Sequence, residues 1–95
     1  MSDINTVSGF ARIEAAKAKA RYGDFTSTHE AYGVLCEKVD VILSAIRANM
    51  ADEVFEESVQ LASVALRLAE IVSRRDPEFM DRSSLTSAGL ATERA

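Results

Sequence analysis

Apolar residues recur at steps of four and three between positions 28 and 49. They are Leu35, Val39, Ile42 and Ile46, with Tyr32 and Leu43 widening the stripe. This spacing places side chains on one face of a helix. Ser27 or Thr28 is a suitable N-cap, and Ser27 has Glu30 three residues later, which is capping-box spacing. We therefore predict an amphipathic helix over residues 28–49.

A second periodic segment follows a short turn, in which Asn49 or Asp52 can cap the next helix. Its first stripe consists of Val54, Ser58, Leu61, Ala65, Leu68 and Val72. A second stripe lies beside it, formed by Phe55, Val59, Ala62, Leu66 and Ala69. This pattern predicts a helix over residues 52–75. An apolar arc this wide needs more than one neighbouring helix, which points to packing across a subunit interface.

The N-terminal segment is rich in strong helix formers and predicts a helix over residues 7–22. Its apolar stripe is thin, consisting of Val7, Phe10, Ile13 and either Ala16 or Ala20. The sequence Gly23-Asp24-Phe25 then ends it. Because no alternating strand pattern is sustained, the expected fold is all-α, with three main helices.

The only proline, Pro77, ends the third helix, since proline disfavours helical backbone at the residue before it. We therefore expect one helical domain over residues 1–77. Residues 78–95 have weak periodicity and include four Ser/Thr residues within positions 83–87. They are predicted to form a short helix at most, followed by a flexible tail.

Composition makes self-association the expected source of added stability. A chain of 95 residues buries only roughly 60–65% of its unfolded surface, so a lone monomer is marginally stable. Cys36 is the only cysteine and His29 the only histidine, which excludes an intrachain disulfide and the usual structural zinc sites. A homo-oligomer, either dimer or tetramer, is the remaining expectation.

Charge and hydropathy narrow the classes of partner. The net charge of −4 argues against a DNA-binding protein, which normally carries a basic stripe. No apolar run approaches the roughly 20 residues that a membrane-spanning helix needs. The N-terminus shows no secretory signal pattern. A single free cysteine fits a reducing, cytoplasmic setting.

Acidic residues are the most informative candidates for chemistry. Glu37 and Asp40 share a face of the second helix, three residues apart. The first turns of the third helix hold Asp52, Glu53, Glu56 and Glu57. One explanation is that these acidic residues only complement the dipole of the helix and have no other function. Alternatively, carboxylates on two antiparallel helices form a cage for Mg²⁺, which prefers oxygen ligands.

The sequence gives weaker evidence for a chemical role of the other two reactive side chains. Cys36 has acidic neighbours and lacks an adjacent base, so packing is its expected role. His29 lies in the first turn of the second helix, where a helix N-terminus attracts anions. It is either a phosphate contact or an ordinary polar residue at a helix start.

Two segments carry a more specific pattern. Residues 23–35 read GDFTSTHEAYGVL and lead into Glu37-Lys38-Val39-Asp40. After the turn, residues 56–67 read EESVQLASVALR. Together they resemble the small MazG-like nucleotide pyrophosphohydrolases of bacteria and phages. The resemblance extends over about Ile13–Val72, and the two motifs are specific in combination rather than singly.

The resemblance implies an all-α protein whose dimers or tetramers form four-helix bundles. It also implies Mg²⁺-dependent hydrolysis of nucleoside triphosphates to monophosphate and pyrophosphate. The metal residues of this family follow Glu-Glu-x-x-Glu on one helix and Glu-x-x-Asp on the next. By position, Glu37 and Glu57 match glutamates and are the expected catalytic carboxylates. The other three ligand positions hold Lys38, Val41 and Gln60.

These replacements change the expected chemistry. Val41 has no donor atom, and the Lys38 ammonium repels a cation. Metal binding would then depend on Glu37, Glu57 and Gln60, with three acids as substitute ligands: Asp40, Glu53 and Glu56. Lys38 is alternatively a direct contact for phosphate, alongside His29.

Three hypotheses therefore remain for the function. The first is a working or weak pyrophosphohydrolase, and the second is a degenerate relative that binds nucleotides without hydrolysis. The third is a non-enzymatic helical protein, of a kind that a phage could encode, that associates with itself or with a host protein.

Overall fold

The computed structural model describes residues 3–75, and this part of the chain is helical with no strand. The three helices are α1 (Ile4–Tyr22), α2 (Thr28–Arg47) and α3 (Ala51–Arg75). The predicted all-α class and three-helix order are confirmed. None of these helices has the length and apolar content needed to cross a bilayer. The short helix or tail predicted for 78–95 lies outside the described residues.

Capping residues explain where the helices begin. The Asp3 carboxylate accepts a hydrogen bond from the Thr6 backbone N–H at 2.9 Å, so α1 begins three residues earlier than predicted. This bond lowers the pKa of Asp3 below its usual value. At α2, Ser27 Oγ accepts from the Glu30 N–H at 3.0 Å, as capping-box spacing predicts. The Glu30 carboxylate, however, accepts from the Thr26 N–H at 2.7 Å instead of the cap residue's own N–H.

Two short connections reverse the chain between helices. Gly23 ends α1 with φ +76°, a left-handed conformation that favours glycine. Asn49 adopts φ +58° in the tight turn between α2 and α3, and asparagine tolerates this region better than most residues. The second turn is short enough that α2 and α3 form an antiparallel helical hairpin.

Two arginines of α3 hold the α1–α2 loop in place. The Arg67 guanidinium lies 4.2 Å from the centroid of the Phe25 ring and donates to the Gly23 carbonyl oxygen at 3.2 Å. Arg74 donates to the Asp24 carboxylate at 2.7 Å. These contacts fix the loop, and with it the start of α2, against the C-terminal half of α3.

Helix α3 is the centre of the fold. Both α1 and α2 pack on it, and within residues 3–75 the two do not pack against each other. Helix α1 runs parallel to α3, because contacts further along α1 meet residues further along α3. The order is Phe10 with Phe55, Glu14 with Gln60, and Lys19 with Glu70. The described part of the chain is thus an open arrangement of three helices.

The side chains that α1 buries differ from those predicted. Phe10 and Ile13 are 44% and 58% exposed, and Ala16 and Ala20 are also exposed. The face toward α3 carries small residues instead: Ala11 is buried, and Ala15 and Ala18 are half-buried. Alanines allow the two helices to approach closely, which turns the larger residues away from the contact.

The predicted stripe of α2 is divided between two faces. Leu35 and Ile42 are half-buried against α3, together with the buried Ala31 and Ala45. The other large residues of the predicted stripe are exposed instead of packed on α3. They are Tyr32, Val39, Leu43 and Ile46. On α3, Val59, Val64 and Ile71 are buried, whereas Phe55 and Leu66 are largely exposed. The wide arc of α3 is therefore covered only in part by its own chain.

Loss of the Arg67 side chain is expected to destabilise the fold. Arg67→Ala removes the contact with Phe25 and the hydrogen bond to Gly23, at a cost of about 1–2 kcal/mol. Urea unfolding at fixed protein concentration measures the loss. Arg12→Ala is the matched control, since Arg12 is exposed on α1 and its bond is to Ser8 of the same helix. Equal losses in both variants would contradict the role of Arg67.

Candidate functional site: a pocket lined by all three helices

A pocket of about 530 Å³ lies where α1 and α2 flank the N-terminal half of α3. Its volume lies within the range of small-molecule sites. Each helix contributes at least one charged side chain. The polar and charged lining residues are Glu14, Lys17, Lys38, Glu56, Glu57 and Gln60. The apolar lining residues are Phe10, Ile13, Phe55 and Val59.

An ion pair joins α2 to α3 at the pocket. Lys38 Nζ lies 3.0 Å from Glu57 Oε1, and the two side chains are 28% and 24% exposed. Lys38 belongs to the inner stripe of α2, one turn from Leu35 and Ile42, so its side chain points toward α3. A charge on a packing face needs a partner, and Glu57 supplies it.

A second polar contact joins α1 to α3. Gln60 Nε2 donates to Glu14 Oε1 at 2.8 Å, and Lys17 Nζ lies 3.2 Å from Glu14 Oε2. Glu14 is a pocket residue that the sequence patterns do not single out. Its only local signal is the pairing with Lys17 one turn later, which is common on exposed helices. Only the packing of α1 on α3 brings this carboxylate to Gln60.

An aromatic wall borders the charged part of the pocket. The rings of Phe10 and Phe55 meet edge to face, with their centroids 6.2 Å apart. Both side chains remain almost half exposed, at 44% and 47%. Aromatic and apolar surface beside a few charged groups is typical of small-molecule binding sites.

Several predicted site residues lie away from this pocket. Glu56, Glu57, Gln60 and Lys38 line it, whereas Glu37, Asp40 and Glu53 are exposed and do not. Val41 is exposed and also absent from the lining. His29 is exposed in the first turn of α2, and Cys36 is exposed further along the same helix. Of the two expected catalytic carboxylates, the structure brings only Glu57 to the pocket.

The donor set does not fit a magnesium ion as it stands. Within residues 3–75 no three Asp, Glu, His or Cys side chains are grouped closely enough to hold a metal. One Glu57 oxygen is bonded to the Lys38 ammonium, and one Glu14 oxygen accepts from Gln60. A cation bound by Glu57 would therefore lie close to the Lys38 ammonium, whose Nζ is 3.0 Å from Glu57 Oε1, at a substantial electrostatic cost.

Comparison with known proteins adds no relative to this picture: no protein-family model, curated protein or solved structure matches the chain.

Proposed function

We propose that this protein is a degenerate MazG-like nucleotide pyrophosphohydrolase, which binds a nucleotide or nucleotide-like ligand in the three-helix pocket with weak or no hydrolysis. The Lys38–Glu57 ion pair carries the proposal, because it sets a lysine ammonium where the sequence resemblance expects a metal-binding carboxylate. The setting is a reducing cytoplasm, where Cys36 stays a thiol.

The pocket lining offers contacts both for the nucleobase and for the phosphate groups of such a ligand. A nucleobase is a flat ring, and the exposed Phe10 and Phe55 faces offer apolar surface to it. Lys17 and Lys38 supply ammonium groups for phosphate oxygens. Each lysine is already paired with a glutamate, so a phosphate must compete with Glu14 and Glu57. We therefore expect modest affinity, with Kd on the order of 0.1–1 mM.

The same lining argues against efficient hydrolysis. Cleavage of a triphosphate requires neutralisation of the phosphoryl charge and an activated water, which divalent cations usually provide. Three carboxylates in the pocket repel the phosphate unless a cation lies between them. A lysine ammonium can neutralise one carboxylate but presents a single charge and activates no water.

The alternative is a non-enzymatic helical protein that acts through association. The apolar side chains left exposed on α2 and α3 favour it. In that case the pocket is a by-product of the open helix arrangement, and no nucleotide binds there. Titration with nucleotides distinguishes the two.

Calorimetric titration of the protein with nucleoside triphosphates is expected to show binding that depends on Lys38. Lys38→Gln should weaken it at least threefold, because it removes an ammonium from the pocket. Lys19→Gln is the matched control, since Lys19 pairs with Glu70 outside this pocket. Undetectable binding at 1 mM nucleotide would refute nucleotide binding. Rapid Mg²⁺-dependent pyrophosphate release by the unmodified protein would refute the loss of catalysis.

Reversal of the charge at Lys38 is expected to create a cation site. Lys38→Glu removes the ammonium and places another carboxylate beside Glu57, so Mn²⁺ binding followed by calorimetry should strengthen at least tenfold. Val41→Glu adds the same charge to α2 at a position outside the pocket lining and should have little effect. Equal gains in the two variants would favour the register that the sequence resemblance implies, in which both positions face the metal.

A further inference from the structure

An apolar groove runs along the contact between α1 and α3, on the side of α1 away from the three-helix pocket. It has a volume of about 360 Å³. Its walls include Ile4, Val7 and Ala11 of α1, and Ala62, Ala65 and Leu66 of α3. No α1 residue lines both the groove and the pocket, and the two sites share only Phe55 and Val59 of α3. The groove is therefore a separate site.

The groove offers almost no polar group to a ligand. Its only polar side chains are Ser8 and Ser58. The Ser8 hydroxyl already donates to the Asn5 carbonyl oxygen at 3.0 Å. Large apolar side chains remain in water along the same walls, since Ile4 is 79% exposed and Leu66 is 44% exposed. An apolar molecule that covers them is stabilised by the surface that it removes from water.

The groove continues into a charged depression of about 410 Å³. Leu66 lines both, and the α1 wall advances by one helical turn from Ser8 to Arg12. Three cationic side chains and one acidic side chain line the depression: Arg12, Lys19 and Arg67, with Glu70. In a protein whose net charge is −4, this end is locally positive. The groove and the depression together are called the amphipathic groove below.

Arg12 is the cation of the depression that is available to an anion. Lys19 Nζ lies 3.3 Å from Glu70 Oε1, and the Arg67 guanidinium is held by the α1–α2 loop. Arg12 makes one long hydrogen bond, from Nη1 to Ser8 Oγ at 3.4 Å, and among residues 3–75 it forms no ion pair. Ser8 also lines the apolar section, so the guanidinium lies at the border between the apolar and the charged surface.

We propose that the amphipathic groove binds the anion of an unbranched fatty acid, with the alkyl chain between α1 and α3 and the carboxylate at Arg12. The occupant follows from the order of the surfaces, because an apolar groove leads to one guanidinium without an acidic partner. A guanidinium binds a carboxylate through two parallel hydrogen bonds. One such cation matches a head group with a single negative charge better than a phosphate group, which carries up to about two.

The apolar walls also decide against other ligands with one negative charge. A sugar or a peptide backbone carries polar groups that would lose water in the groove without gaining hydrogen-bond partners, which is unfavourable. An alkyl chain has no such groups. The chemistry of the walls therefore favours a hydrocarbon chain as the part of the ligand that lies between the helices.

The length of the apolar section sets the length of chain that it can cover. At 1.5 Å per residue, residues 4–11 extend about 10 Å along α1, and residues 55–66 extend about 16 Å along α3. Successive Cα atoms are about 3.8 Å apart across three bonds, so an extended chain advances about 1.3 Å per bond. The apolar section therefore covers roughly 8 to 13 carbons of an extended chain.

A chain-length series tests the proposal on the unmodified protein. Calorimetric titration with butanoate, hexanoate, octanoate and decanoate, each below its micelle-forming concentration, should show affinity that rises roughly two- to fourfold per added methylene. The upper value applies to a fully buried methylene, and the groove is open to solvent along its length. Beyond about 13 carbons the gain should stop, because further carbons extend past the apolar section.

The contribution of Arg12 is tested by the removal of one charge. Arg12→Gln should weaken octanoate binding at least roughly fivefold, because the carboxylate loses its guanidinium partner. Arg21→Gln is the matched control, since Arg21 is exposed on the same helix and lies outside the amphipathic groove. The uncharged 1-octanol should bind the unmodified protein and Arg12→Gln with the same affinity, because it has no charge for the guanidinium to bind.

The apolar section is tested by filling it. Ala62→Leu should weaken octanoate binding at least roughly fivefold, because the larger side chain occupies space that the alkyl chain needs. Ala20→Leu makes the same change at an exposed alanine of α1 outside the amphipathic groove and should leave the affinity within about twofold. Leucine is a strong helix former, so circular dichroism should show unchanged helical content in both variants. Neither alanine lines the three-helix pocket, so nucleotide binding and fatty-acid binding can fail separately.

Four results would overturn the proposal. Affinity that does not change with chain length contradicts it, as do equal effects of Ala62→Leu and Ala20→Leu. Equal losses in Arg12→Gln and Arg21→Gln would show that general charge, rather than Arg12, attracts the carboxylate. Adsorption to phosphatidylglycerol vesicles without binding of any free fatty-acid anion would identify a membrane surface as the occupant instead.

Discussion

The apolar arc of α3 is wider than two helices can cover, and the rest of the structure follows from this constraint. Helix α2 covers one side, through residues such as Leu35 and Ile42, and α1 covers another. The third side remains open because the chain has no further helix among residues 3–75. The apolar side chains that remain exposed on α2 and α3 result from that missing neighbour.

The pocket has a related origin. Because α1 and α2 contact only α3, they leave a gap between them, and the polar side chains that face the gap must find partners in it. Lys38 meets Glu57, and Glu14 meets Gln60. These pairs connect each flanking helix to α3 through partly solvated polar contacts as well as through alanines and aliphatic side chains. A ligand that draws Lys38 away from Glu57 would alter the packing of α2 on α3.

Lys38 takes part both in the packing of α2 on α3 and in the lining of the pocket. It lies on the inner face of α2, where a neutral aliphatic residue would pack more favourably, and it is tolerated because Glu57 neutralises it. A carboxylate at that position would face Glu57 across the helix contact and would need a cation between them. The Lys38 ammonium neutralises the Glu57 carboxylate itself, so no added cation is needed. Under the proposed function, the Lys38–Glu57 ion pair stands in place of two carboxylates bridged by a cation.

The sequence by itself determined the all-α class, the order of the three helices and a cap for α2 at Ser27 or Thr28, because these depend on periodicity and on contacts within a few residues. The structure selects Ser27 as the cap. It also identified Lys38, Glu57 and Gln60 as residues of interest. Only the tertiary structure decided that Glu14 joins the pocket, that Glu37, Asp40 and Glu53 lie outside it, and that Tyr32, Val39 and Ile46 are exposed. The reason is geometric. Two stripes with apolar residues lie next to each other on α2, and the periodicity of the sequence does not distinguish the buried stripe from the exposed one. Which stripe is buried depends on where α3 packs, and that contact joins residues distant in sequence.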